Sequence, residues 1–321
     1  MKTHAIIFGI DSFKLNLNEI TFFKKYKPWG IILFSRNIKN LEQVKNLTTS
    51  IKDLFKDKNF PILIDQEGGI VNRFRNIINL ENYNAKYFGD IYNNDPKFYS
   101  KFDKFLKINI SILKYCGINI NTVPVLDLFN ADKKSVIGNR SFSKNCKIVV
   151  KLSKYLIKSY KKSGLETVIK HIPGHGCTSI DSHFALPQVN FSLNYLKNND
   201  FRTFKKVNSY LAMTAHILYK KIDPTRCATQ SKKIINDIIR KYLSFRGILI
   251  SDDICMKALS GGMLKNAKLT LDAGCNVLLH CNGNLDQMKK LSLIVPEIDN
   301  FTNKLTEKIK ANFYKFNQRI S

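Results

Sequence analysis

The sequence lacks any apolar run long enough to cross a bilayer, and its first residues do not lead one to expect a secretory leader. The first apolar stretch, residues 5–10, stops at Asp11. It is shorter than a signal-peptide core and has no small-residue cleavage site. No other stretch approaches the roughly 20 apolar residues of a membrane-spanning helix. A cytoplasmic protein without membrane insertion is the expectation. Paired cysteines are missing too: the seven cysteines are odd in number, scattered, and never spaced C-x-x-C. That argues against a disulfide framework and a zinc knuckle, and for reduced, mostly buried thiols. No Pro- or Ser-rich linker, internal repeat or shift of composition divides the chain. Residues 1–321 are therefore expected to form one domain.

Acidic residues are scarce. Lys and Arg number 52 against 25 Asp and Glu, a formal net charge of +27. Such a charge suits nucleic acid, an anionic membrane surface or an acidic substrate. The basic residues are spread along the chain, however, and Lys151, Lys154, Lys158, Lys161 and Lys162 fall on one apparent helix face. The chain is also heavy in Lys, Asn and Ile together, as an AT-rich genome produces. With no nucleic-acid-binding motif present, a solvated basic surface is the simpler reading and no nucleic-acid partner is expected. Binding to an anionic polymer stays as an alternative of another class, marked by steeply salt-dependent association.

What is there is a regular alternation. Apolar, β-branched runs occur at 5–10, 30–35, 61–65, 118–125, 166–170, 211–215, 247–251 and 276–280. Most are continuous rather than alternating, as in parallel strands buried on both faces. Helical spacing separates them: Leu41, Val44, Leu47, Ile51 and Leu54 share one face, as do Phe98, Phe102, Phe105, Ile108 and Ile112, and Val149, Leu152, Leu156 and Tyr160. Eight strands alternating with helices predict an α/β chain folded as a single-domain (β/α)8 TIM barrel, with a doubly wound sheet as the runner-up. The polar, irregular segment 125–143 reads as a functional loop.

A barrel carries its chemistry at the C-terminal ends of its strands. That rule selects Asp65, Asp127, Lys170, His171, His216, Asp252, Asp253 and His280. Among these, Asp253 is expected to cap or fix a loop, because adjacent strand residues face opposite ways. His216 and His280 read equally well as rim histidines with satisfied hydrogen bonds. Glu67, beside two glycines, reads as a loop-holding acceptor of backbone amides.

Residues 170–183, KHIPGHGCTSIDSH, hold three of the chain's six histidines. Three readings of this loop stand side by side. His171, His175, His183 and Asp181 are metal-ligand types, but His171 and His175 are a zinc pair only on a helix, and Pro173 and Gly174 lie between them. His175 also reads as a buried histidine tying down the loop. His183, oriented by Asp181 two residues away on the same side of an extended segment, reads as a general acid/base. No metal and no cofactor are expected.

Taken together, the segments ILFSRN (32–37), DQEGG (65–69) with Arg73, VIGNRSFS (136–143), KHIPGHG with DSH (170–183), MTAH (213–216), FRGILISDD (245–253) and AGCNVLLHCN (273–282) resemble the family 3 glycoside hydrolases, in their short β-N-acetylglucosaminidase branch. They follow the family's order over nearly the whole chain. The KH and SD pairs are shared widely in the family, and the PGHG-plus-DSH loop marks the acetylglucosaminidase branch. The resemblance implies that Asp252 is the nucleophile, His183 the acid/base and Asp181 its dyad partner. It implies sugar-binding roles for Asp65, Arg73, Arg140, Lys170 and His171. The implied activity is retaining hydrolysis that removes N-acetylglucosamine from peptidoglycan fragments, GlcNAc-anhydro-MurNAc with or without peptide, in cell-wall recycling. A phosphorylase acting on the same glycosides is the close alternative, since a neutral histidine does not repel phosphate as a glutamate would. Ile70 departs from the family's usual arginine, and Cys177 and Cys255 replace other residues beside motifs; none of these removes a catalytic group. The oligomeric state is not encoded in these patterns.

Overall fold

Strands buried on both faces need neighbours on both edges, and closing the sheet supplies them without leaving an edge. The eight runs do this. In the computed structural model, which describes residues 2–130, 136–178 and 185–317 (side chains to 313), they pair in parallel as a closed barrel. The strands are β1 (Thr3–Gly9), β2 (Lys27–Leu33), β3 (Ile62–Ile64), β4 (Ile120–Asn121), β5 (Glu166–Ile172), β7 (Leu211–Thr214), β9 (Ile248–Asp253) and β10 (Val277–His280). Two short strands, β6 (Gln188–Val189) and β8 (Leu218–Tyr219), pair with each other outside the barrel. The barrel order is β1-β2-β3-β4-β5-β7-β9-β10, with β10 returning to β1. The (β/α)8 expectation holds, and the doubly wound alternative does not.

Side chains alternate along each strand, and the alternation sorts them into two cores. Ile7, Ile32, Leu63, Ile120, Val168, Leu211, Ile248, Ile250 and Val277 point into the barrel. Their neighbours Ile6, Phe8, Ile31, Ile62, Ile64, Ile169, Ala212, Leu249 and Leu278 face the surrounding helices. The helices that pack on them include Leu41–Leu54, Phe98–Tyr115 and Cys146–Lys162, matching the three predicted periodic stretches. The end of the barrel away from the strands' C-termini is filled by Trp29 with Ile309 and Phe313 of the last helix, Asn300–Asn317. Burying the indole requires a partner for its N–H, and Trp29 Nε1 donates to Thr306 Oγ1 at 2.8 Å.

The fourth predicted strand is much shorter than the run 118–125. Only Ile120 and Asn121 pair regularly, because Pro124 has no N–H to give a ladder. The chain still follows the barrel wall: Thr122 N donates to the Ile64 carbonyl and Leu126 N to that of Lys170. Among the described residues, no helix is long and apolar enough to cross a membrane. Lys154, Lys158, Lys161 and Lys162 line a shallow surface hollow together with Lys206, as expected of one helix face.

Candidate active site

The inward parity that builds the barrel core also builds the site. Two residues beyond Leu63 comes Asp65, and two beyond Val168 comes Lys170. In the same way Met213 follows Leu211, Asp252 follows Ile250, and Cys281 follows Leu279. All five, with Leu279, line one cavity of about 290 Å³ at the strands' C-terminal ends. The segment after β3 adds Glu67, Val71 and Arg73, and the long loop adds Val136, Ile137 and Arg140. Phe34, His171, His175, Asp253 and Met256 complete the wall.

Two neighbours reach the cavity against simple alternation. The β5–β7 register slips between Lys170 and Ile172, and the β9–β10 register slips between Val277 and Leu279. Such irregularities re-aim side chains, and both Lys170–His171 and Asp252–Asp253 consequently line the cavity. Asp253 nonetheless fixes loops, as anticipated: its Oδ1 accepts the amides of Cys255 at 3.1 Å and Cys281 at 3.4 Å.

The floor carries a buried ionic network. Lys170 Nζ lies 2.9 Å from Asp65 Oδ1, 2.6 Å from Glu67 Oε1 and 3.0 Å from Thr122 Oγ1. Arg73 meets Asp65 Oδ2 at 3.1 Å. Arg140 grips Glu67 with two bonds, 2.9 and 2.8 Å. Burial alone would raise both carboxyl pKa values, but the cations outweigh it. Lys170 and Arg73 hold Asp65 far below the usual range, and Arg140 and Lys170 hold Glu67 at about 2. Glu67 therefore differs from its sequence reading: its oxygens take two cations, not backbone amides. Paired carboxylates of this kind stay ionised and rigid, suited to gripping hydroxyl groups.

Asp127, fully buried, clamps the histidine loop. It accepts the amide of His175 at 2.7 Å and that of His171 at 3.1 Å, and it meets His171 Nδ1 at 2.7 Å. Burial opposes its charge, yet His171 keeps its pKa low. An ionised carboxylate only accepts, so His171 Nδ1 carries the proton of this contact. His175 is the structural histidine the sequence suggested: it is buried, and its Nδ1 lies 2.9 Å from Thr178 Oγ1. Burial, with His171 beside it, pulls its pKa down to about 4.

Asp252 has no ion-pair partner among the described residues. Its own amide donates to Thr214 Oγ1 at 3.3 Å, and its Oδ1 accepts the Asp253 amide at 2.8 Å. Its Oδ2 takes no hydrogen bond from the described residues. Burial pushes its pKa up, but His216, His171, the Asp253 amide and Lys170 together bring it below normal. Asp253 is raised instead, by burial and by the charge of Asp252. His216 is satisfied at both nitrogens, by Thr229 Oγ1 and the Asp253 carbonyl. His280 bonds Gln287 through Nε2, while its buried Nδ1 has no partner among the described residues.

Asp65, Arg73, Arg140, Lys170, His171 and Asp252 thus converge on one cavity. Asp181 and His183 lie outside the described residues. No group of three or more His, Cys, Asp or Glu arranged to hold a metal occurs among the described residues. The strand-end rule found Asp127 but not its task. Thr122 and Thr214 stand in strand runs whose parity marks them only once the register is known.

Comparison with known proteins agrees with this geometry. The glycosyl hydrolase family 3 N-terminal domain matches residues 8–310. A β-hexosaminidase of Neisseria gonorrhoeae is 36% identical over 261 residues, 79% of this chain and 71% of the relative. One of Nitrosomonas eutropha is 35% identical over 260 residues, 79% of this chain and 73% of its own length. The crystal structure of NagZ from Neisseria gonorrhoeae in complex with N-trifluoroacetyl-D-glucosamine matches with a TM-score of 0.86 at 31% identity, covering 96% of this chain and 90% of that one.

Proposed function

This chain belongs to glycosyl hydrolase family 3 and is a glycoside hydrolase, and from that premise we propose that it is a retaining β-N-acetylglucosaminidase with Asp252 as nucleophile. The observation that carries the reading is Asp252 itself, an ionised carboxylate at a barrel strand end with one oxygen that takes no hydrogen bond from the described residues, in a cavity where Asp65, Glu67, Arg73, Arg140 and Lys170 are held in ion pairs. A volume of about 290 Å³ stands at the small end of ligand sites and suits one sugar ring. The relatives named β-hexosaminidase, and the NagZ complex with an N-acylated glucosamine analogue, support an N-acetylated hexosamine in it.

Glycoside cleavage needs a proton for the departing oxygen and stabilisation of an oxocarbenium-like carbon. In this reading Asp252 Oδ2 attacks the anomeric carbon, and the glycosidic oxygen leaves with the proton of the His183 imidazolium. Neutral His183 then takes a proton from water, the water oxygen bonds to the same carbon, and Asp252 departs as a carboxylate. Two inversions give retention. Asp181 stabilises the imidazolium. Asp65, Lys170, Arg73, Arg140 and His171 hold the sugar.

The substrate proposed is a peptidoglycan fragment, GlcNAc-anhydro-MurNAc with or without peptide, processed in the cytoplasm during cell-wall recycling. The test is turnover of 4-nitrophenyl β-N-acetylglucosaminide with analysis of the sugar product in phosphate buffer. The expected product is free N-acetylglucosamine, with Asp252→Ala at least about a thousand-fold slower and His183→Ala impaired. Sugar 1-phosphate as product would establish the phosphorylase instead. Near-wild-type turnover by Asp252→Ala would reject the site.

A further inference from the structure

Behind the cavity wall, residues 174–178 are held by a carboxylate that takes no part in the reading above. Asp200 opens the helix Asp200–Lys205, is 1% exposed, and does not line the cavity. Its Oδ2 accepts the Cys177 amide at 3.0 Å. The backbone approaches it so closely that side chains are barred. A Cβ on Gly174 would come within 2.6 Å of Asp200 Cβ, and a Cβ on Gly176 within 2.6 Å of Asp200 Oδ1 and 2.5 Å of the Leu128 carbonyl. Gly174 also has φ of 150°, a conformation that favours glycine. From β8, the Tyr219 hydroxyl donates to the Gly174 carbonyl, and Asp127 takes the His175 amide. Three side chains from three parts of the chain thus fix one short stretch of backbone. The β6–β8 pair ties the far end of the same excursion to the same place, through Leu218 N to the Pro187 carbonyl and Lys220 N to that of Val189.

We infer that Asp200, seconded by Tyr219, is a positioning residue for the acid/base step: it fixes the backbone from which Asp181 and His183 follow within five residues of Thr178. The inference rests on His183 being the acid/base proposed above. Its physical basis is that proton transfer requires hydrogen-bond reach, and a displacement of about 1 Å costs on the order of a hundredfold in rate. The buried carboxylate has Asp127, Cys177, Tyr195 and Tyr219 facing it. Burial pushes its pKa up to about 6, and Asp127 adds to the rise.

The test compares kcat/KM on two substrates that differ in their need for a proton. N,N′-diacetylchitobiose has a sugar leaving group that must be protonated; 2,4-dinitrophenyl β-N-acetylglucosaminide releases a phenolate that need not be. Asp200→Ala is expected to lose at least about tenfold on the first and far less on the second, with the same selectivity as His183→Ala. In the His183→Ala background, Asp200→Ala is expected to add little, because the group it positions is already gone. Asp200→Asn keeps an acceptor for the Cys177 amide and is expected to regain most of the loss. Should Asp200→Ala fail to fold, Tyr219→Phe removes one hydroxyl and carries the comparison, with the same selectivity at smaller size. Equal losses on both substrates, or none, would overturn the inference. If His183→Ala is selective and Asp200→Ala is not, only this inference falls; if His183→Ala is itself unselective, the acid/base reading falls with it.

Discussion

Lys170→Met removes the cation that Asp65 and Glu67 share while keeping an apolar stem of similar length. The side chains of Lys170, Glu67 and Asp65 are 3, 7 and 15% exposed, so solvent screens the network little. Breaking a buried pair by deleting one partner costs about 3–5 kcal/mol. Each carboxylate keeps one arginine, Arg73 at 3.1 Å and Arg140 at 2.8 Å, which places the loss near the lower end. A chain of this length unfolds with an entropy of roughly 0.7 kcal/mol per kelvin, so about 3 kcal/mol lowers Tm by about 4–5 °C. The pH dependence has a definite sign. Glu67 is depressed from 4.5 to about 2 and Asp65 falls as well. Groups depressed in the folded state stabilise it above their unfolded pKa and lose that contribution as the pH falls through the folded value. The gap between wild type and Lys170→Met is therefore full at pH 7 and narrows below about pH 4.5. Calorimetric melts from pH 7 to 3 measure it. A Tm within about 1 °C of wild type at pH 7, or a gap that widens in acid, would show that Lys170 does not hold these two carboxylates in the fold.

Asp127→Ala leaves two amides and the His171 Nδ1–H without their acceptor and is expected to cost about 3–5 kcal/mol by thermal melt, with kcat/KM falling alongside. His175 is depressed to about 4, so its contribution is present above about pH 6.5 and disappears as the pH falls through 4. His175→Gln is expected to abolish about 2–3 kcal/mol of acid sensitivity in that window, read from denaturant midpoints. Asp200 is shifted the other way, up to about 6, so its ionisation weighs against folding as the pH rises. Asp200→Asn is expected to be more stable than wild type at pH 8 by about 1–3 kcal/mol, the difference vanishing toward pH 4.

The barrel was legible because its strands are buried on both faces, which leaves continuous apolar runs with helices between them. All eight runs became barrel strands. The fourth was cut to two residues by Pro124, whose missing N–H composition alone does not weigh correctly. The rim residues were legible for the same reason: a polar side chain at the end of an apolar strand has few places to go but the mouth of the barrel. Parity then failed locally. Asp253 and His171 reach the cavity because the ladder slips beside them, and register between distant strands is not written in either strand. The role of Glu67 is not legible locally, because its partner Arg140 lies 73 positions away. Asp200 gave no signal at all: its importance comes from Gly174 and Gly176 packing against it, a long-range contact that neither segment announces. The proposed nucleophile, acid/base and sugar-binding roles rest on motif resemblance rather than on periodicity.

The most direct measurement is capture of the covalent intermediate. A 2,4-dinitrophenyl N-acetylglucosaminide carrying fluorine at C5 slows both steps and lets the glycosyl-enzyme accumulate for peptide mapping by mass spectrometry. The expected result is one sugar per chain, esterified to the peptide containing ISDD and localised to Asp252. A sugar on Asp253 or on another peptide, or hydrolysis with inversion and no adduct, would contradict it.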